Sequence, residues 1–223
     1  MPPDKSEIAA RAATIVAGAG QNWNRLLDEA AEVVVFGSTA AGVAGPHSDV
    51  DILVVGAARP RKTRELDVVV ETPETIRTPD WLGSELAGHI AAYGVWLKGD
   101  SLWVPHVRIG ELALDRKRAR IQRLIAAAQR HWPRLDSDFR RRSLATIRRE
   151  LQRELLLERS IPIPPTPELD AACATGESGQ QLPAWIRELL SADLRDVSPR
   201  VLDRLAREAP QPSSAWVKAA RTR

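Results

Sequence analysis

Two short apolar runs, Val33-Val34-Val35-Phe36 and Ile52-Leu53-Val54-Val55, constrain this chain more than any other feature. Each is β-branched and unbroken, so each reads as a buried strand rather than as one face of an amphipathic helix. Gly37-Ser38 ends the first run, small residues follow, and a turn at Gly45-Pro46-His47-Ser48 leads into Asp49-Val50-Asp51 and the second run. Both runs are far shorter than the roughly 20 residues a membrane-spanning helix needs. The N-terminal MPPDKSEIAARAATIVAGAG has no basic start followed by a continuous apolar stretch, so the expectation is a cytoplasmic protein with no membrane partner.

The surrounding pattern extends the two runs into a small α/β module. Residues 5–17 and 22–31 read as helices separated by Gly18 and Gly20. After the second strand a basic loop, Gly56 to Lys62, precedes a third strand over 64–71, in which Leu66, Val68 and Val70 alternate with Asp67 and Val69. Trp81 to Tyr93 reads as a helix, and Gly94 to Lys98 as a last strand. From about residue 111 the pattern turns helical. Ile121, Leu124, Ile125 and Ala128 form one apolar stripe; Leu144, Ile147, Leu151 and Leu155 form another. His131-Trp132-Pro133 ends the first helix, and Asp136 or Ser137 caps the second. The Pro-rich run Ile161 to Pro167 is a stiff connector. Two shorter helices, 183–190 and 199–206, follow it, the latter capped by Ser198. The fold class expected is therefore α/β (α+β): a mixed-sheet domain over 1–110 and an all-helical domain over 111–223.

Charge divides at the same place. Residues 1–110 carry 10 Lys/Arg against 14 Asp/Glu, a net −4, whereas 111–223 carry 22 against 15, a net +7. The stretch 116–159 alone holds 14 basic and 5 acidic side chains. This basic half reads either as a surface for a polyanion or as solvated helix faces with charges at i,i+4 spacing. The single Cys173 cannot form an internal disulfide and is read as structural; His89, His106 and His131 show no ligand spacing, and His47, next to Ser48, reads either as near a phosphate or as an exposed turn residue outside the catalytic set. Trp81, Trp96, Trp103 and Trp132 read as packing rings before they read as a base pocket.

The chemistry concentrates in Val33 to Val55. Gly37 and Ser38 leave a strand into a run of small residues, where backbone N–H groups can face phosphate oxygens and a Cβ would obstruct them. Asp49 and Asp51, two apart on a strand, project from one face. Their repulsion is relieved by a divalent cation, and hard oxygens suit Mg²⁺ or Mn²⁺; a turn-capping role is the alternative. Asp67 is the candidate third carboxylate, because it interrupts an apolar strand that can pair beside the second.

These residues, Gly37-Ser38, ten residues, then Asp49-Val50-Asp51 between two strands, resemble the signature of the DNA polymerase β nucleotidyltransferase superfamily. DVVVETPE and IAAYGVWLKG are similar to the end of minimal nucleotidyltransferase domains, so the resemblance covers about residues 30–100. Thr39, Ala40 and Ala41 stand where minimal relatives carry arginines, a style closer to aminoglycoside adenylyltransferases; Arg59, Arg61, Lys62 or Arg64 would then meet phosphate charge. The resemblance implies a nucleoside triphosphate substrate, ATP foremost, with Mg²⁺ or Mn²⁺ held by Asp49, Asp51 and Asp67. It also implies catalytic work by the same three acids and nucleotide binding by Gly37 and Ser38. The implied reaction transfers AMP to a hydroxyl of a protein, an RNA or a small molecule, releasing pyrophosphate. A protein toxin, as in toxin–antitoxin pairs, or a transfer RNA fits the basic half better than a polycationic aminoglycoside. A binding protein that keeps the fold without catalysis, antitoxin-like or nucleic-acid-binding, is the alternative.

Overall fold

The computed structural model describes residues 4–174 and 199–221. They fall into two compact units, one drawn from Met1–Gly110 with Pro162–Glu168 and the other from Glu111–Ile161 with Leu169–Arg223.

In the first unit, helix α1 (Lys5–Gly18) starts where the Asp4 carboxylate accepts from the Ser6 N–H, and α2 (Trp23–Glu29) starts where the Asn22 side-chain oxygen accepts from the Arg25 N–H. The second helix is shorter than its sequence suggests, because Ala30 and Ala31 are drawn into the first strand, β1 (Ala30–Phe36), where Ala30 pairs with Gly56. A four-residue turn of helix, α3 (Gly37–Ala40), follows at once. Strand β2 is Val50–Gly56, and the basic loop expected after it ends instead in a two-residue strand, β3 (Arg61–Lys62). Strand β4 spans Leu66–Glu71.

The helix expected over 81–93 is two: α4 (Pro79–Leu82) and α5 (Glu85–Tyr93). Gly83 ends the first, and Ser84 caps the second by accepting from the Ala87 N–H, so the chain restarts rather than continues. Strand β5 (Val95–Lys98) completes a mixed sheet of order β3-β4-β2-β1-β5. Only β2 and β4 run parallel; the other neighbours are antiparallel.

The period-two alternation of the strands sorts their side chains onto two faces. Val33, Val35, Ile52, Val54, Leu66 and Val68 pack with Ile8, Ala12 and Val16 of α1. Val34, Phe36, Leu53 and Val55 pack with Trp81, Ile90 and Trp103 on the other side. Buried in that second core, the Glu32 carboxylate accepts from the indole N–H groups of Trp96 at 3.0 Å and Trp103 at 3.1 Å. Two tryptophans thus satisfy a buried acid as well as filling space. The Pro-rich connector contributes a strap to this unit: residues 162–168 belong to it, Ile163 is 4% exposed, and the Ile163 carbonyl lies 2.6 Å from His89 Nδ1.

The second unit is built on the two expected long helices, α6 (Glu111–His131) and α7 (Ser137–Glu158), with Asp136 capping the latter through the Phe139 N–H. The apolar stripes meet as forecast, closed by Leu202 and Leu205. Further helices are α8 (Leu169–Ala174), α9 (Pro199–Glu208) and α10 (Ser214–Arg221). The helix expected over 183–190 and its neighbour's cap at Ser198 lie outside the described residues. Several charges of this half are paired. Lys117 and Glu150 form a buried pair at 2.7 Å, Arg120 and Arg153 also approach Glu150, and Arg118 spans Glu154 and Glu158. These contacts engage four bases, Lys117, Arg118, Arg120 and Arg153, with three acids, Glu150, Glu154 and Glu158, and leave the net basic surplus in place. In its largely helical second half and its five-strand mixed sheet, the chain is of the α+β class.

Candidate active site

Strand β1 ends where β2 begins, because the two are antiparallel and Phe36 lies opposite Asp51. The next residue, Gly37, has φ +71°, the left-handed region that favours glycine. A Cβ there would run into the Asp51 carboxylate, with its Cγ at 3.3 Å. The glycine therefore serves two ends: it turns the chain from strand to helix, and it leaves room for an acid on the neighbouring strand. The turn of α3 that follows has first N–H groups without an intrahelical acceptor, as every helix does. Thr39 Oγ1 donates to the Asp49 carbonyl at 3.3 Å, and Arg11 of α1 donates to the Ser48 carbonyl at 3.1 Å. Both bonds fix the approach of the loop to Asp49.

Asp51 stands level with Asp67 in the parallel β2–β4 pair, so these two carboxylates share a sheet face, the one that carries Leu53 and Val69. Asp49, two residues before Asp51, is exposed at the mouth of the strand. Asp51 is half-buried, and burial first, then the charges of Asp49 and Asp67, push its carboxyl up to about 7. Three acids placed so that one resists ionisation form a spot that attracts positive charge.

The positive charge on hand is Lys62, which sequence reasoning set among four candidates for phosphate contact. It is level with Asp67 across β3 and β4, and its ammonium donates to Asp67 Oδ2. Arg59, Arg61 and Arg64 are exposed. Of the three acids, Asp51 and Asp67 are level on neighbouring strands, whereas Asp49 lies in the loop just before β2. Among the described residues no group of three His, Cys, Asp or Glu is gathered to hold a metal ion. The donor chemistry still fits Mg²⁺ or Mn²⁺, since such ions are commonly held by one or two carboxylates and complete their shell with substrate phosphates and water. His47, in the same loop, is exposed.

Residues 21–90 match the family model of the nucleotidyltransferase domain, a span running from the cap of α2 into α5 and taking in Gly37, Ser38, Asp49, Asp51 and Asp67. A nucleotidyltransferase-like protein from Exiguobacterium sibiricum 255-15, solved by crystallography, is similar to this chain at 11% identity and a TM-score of 0.44, over 97% of this chain and 80% of its own. No curated protein matches the chain. No helix among the described residues is long and apolar enough to cross a membrane.

Proposed function

From a chain that carries a nucleotidyltransferase domain of the DNA polymerase β type at residues 21–90, we propose an enzyme that moves AMP from ATP to a hydroxyl of a protein or an RNA. The observation that carries this reading is the clearance at Gly37 for Asp51, with Asp51 level with Asp67 on the adjacent strand. The acceptor oxygen attacks the α-phosphorus in line; the new P–O bond forms as the bond to pyrophosphate breaks, and the hydroxyl proton passes to a carboxylate. Asp49, Asp51 and Asp67 would hold divalent cations, which would supply charge neutralisation for the triphosphate. Gly37 leaves the passage open, and Ser38 meets the terminal phosphates from the start of α3. Asp67, on the side of the cluster away from Gly37, takes the acceptor's proton. The net −4 of residues 1–110 does not repel a basic protein acceptor, and the Arg-rich second half disfavours a polycationic aminoglycoside.

The test is pyrophosphate release from each nucleoside triphosphate with Mg²⁺, using transfer RNA, aminoglycosides and cell lysate as acceptors, beside an Asp49→Ala/Asp51→Ala control. Release with ATP and a macromolecular acceptor, abolished in the control, supports the proposal; release only with an aminoglycoside overturns its acceptor. The second reading is an antitoxin-like binding protein that keeps the fold without catalysis, in which Lys62 rather than a metal ion would hold Asp67. Mg²⁺-dependent ATP binding with no pyrophosphate release under any acceptor would select it.

A further inference from the structure

Lys62 stands on β3, a two-residue edge strand that is exposed throughout. Its side chain is 78% exposed, whereas that of Asp67 is 25% exposed. Its ammonium donates to Asp67 Oδ2, and Asp51 stands level with Asp67 on the adjacent strand β2. One cation thus stands at the edge of the acid cluster, on the carboxylate next to Asp51. An ion pair this open contributes little stability, so breaking it costs little, and a lysine stem is long enough to carry its charge elsewhere.

Resting on the nucleotidyltransferase reading, we infer that Lys62 is a built-in counter-cation of the acid cluster, competing with bare divalent ions and turning to the triphosphate when nucleotide arrives. Without substrate, the ammonium covers Asp67 and lowers the attraction of the cluster for free metal. When a nucleotide enters with its cation, the doubly charged ion takes over the carboxylates. The displaced ammonium then faces phosphate oxygens, which offer it more negative charge than the single carboxylate it leaves. Lys62 is therefore a nucleotide-binding residue whose removal acts with opposite sign on the two ligands.

The experiment measures Mn²⁺ binding to the full chain by electron paramagnetic resonance of the free ion, and separately Mg²⁺-ATP binding by equilibrium dialysis. Both are applied to the wild type, Lys62→Ala, Lys62→Arg and Asp49→Ala/Asp51→Ala, each checked for an unchanged thermal transition. The expected result is Mn²⁺ bound about three- to tenfold more tightly by Lys62→Ala, from loss of a neighbouring like charge. ATP should bind that variant several-fold more weakly, with Lys62→Arg close to wild type in both. A lysine that merely clasps β3 to β4 would leave both affinities unchanged or move them in the same direction, and either result overturns the inference. Mn²⁺ binding undiminished in Asp49→Ala/Asp51→Ala would instead overturn the nucleotidyltransferase reading, which separates the two failures.

Discussion

Replacing Gly37 by alanine tests the construction of the site, because its consequences for stability and for chemistry differ in size. The backbone term comes from φ +71°, a conformation that costs a residue with a Cβ roughly 1–2 kcal/mol. The steric term is of another kind. The new methyl meets the tip of the Asp51 side chain, with the Asp51 Cβ already at an ordinary 3.5 Å, so rotation of one carboxylate relieves the overlap. The fold should therefore lose only the backbone term, about 1–2 kcal/mol, equivalent to a fall in Tm of a few degrees for a chain of this size. Catalysis should lose far more, since displacing a reacting group by about 1 Å can cost about 10²-fold in rate. Gly18→Ala is the control. Its φ is not positive and nothing lies within 4 Å of its added Cβ, so a residue at the end of α1 should be neutral or slightly stabilised. The assay pairs urea unfolding with the rate of pyrophosphate release. A Gly37→Ala protein with wild-type turnover would refute the assigned closeness of Gly37 and Asp51, and one that fails to fold would refute the claim that only a side-chain tip stands in the way.

Three further outcomes follow from the buried polar groups. Glu150→Ala should destabilise the helical unit by about 3–5 kcal/mol in chemical denaturation, because it removes the carboxylate at 2.7 Å from the buried Lys117 ammonium; Lys117→Met/Glu150→Leu should recover most of that loss. Glu32→Leu should cost about 1–3 kcal/mol and shift tryptophan fluorescence, since the Trp96 and Trp103 indoles lose their acceptor; an unchanged emission spectrum would contradict the assignment. Burial pushes the Cys173 thiol up to about 11 from an ordinary 9.0, so its alkylation in the native protein should rise with pH towards about 11, and unfolding should expose it at pH 8. The folded thiol binds its proton more tightly than the unfolded one. Its contribution to stability is thus complete below about pH 9 and is lost as pH rises through about 11.

What could be read in advance was local. Val33 to Phe36 and Ile52 to Val55 announce themselves by unbroken β-branched runs, and Gly37, Ser38, Asp49 and Asp51 by their spacing between them. The long helices of the second unit were legible for the same reason, their 3.6-residue stripes lying within one stretch of chain. The features missed depend on partners distant in sequence. Arg61 and Lys62 carry no strand signal; they are strand because β4 offers an edge, and the same pairing sets Lys62 against Asp67. Glu32 gave no sign of burial, since its two donors come 64 and 71 residues later. Gly83-Ser84 contained a stop and a cap, but the apolar residues on both sides continued the helical rhythm and concealed the break.

The strap of residues 162–168 has a consequence for how the protein is made. The first unit is discontinuous in sequence: after Gly110 the ribosome must produce α6 and α7 before Ile163 emerges to take its buried place and offer its carbonyl to His89. The sheet unit thus reaches its final form only once the helical pair has been synthesised, although its strands lie at the beginning of the message. Release of a chain shortened to residue 110 would leave that seat vacant, with apolar surface bared while translation is already over. Maturation of the site is in this way timed by the elongation of a segment that contributes none of its acids.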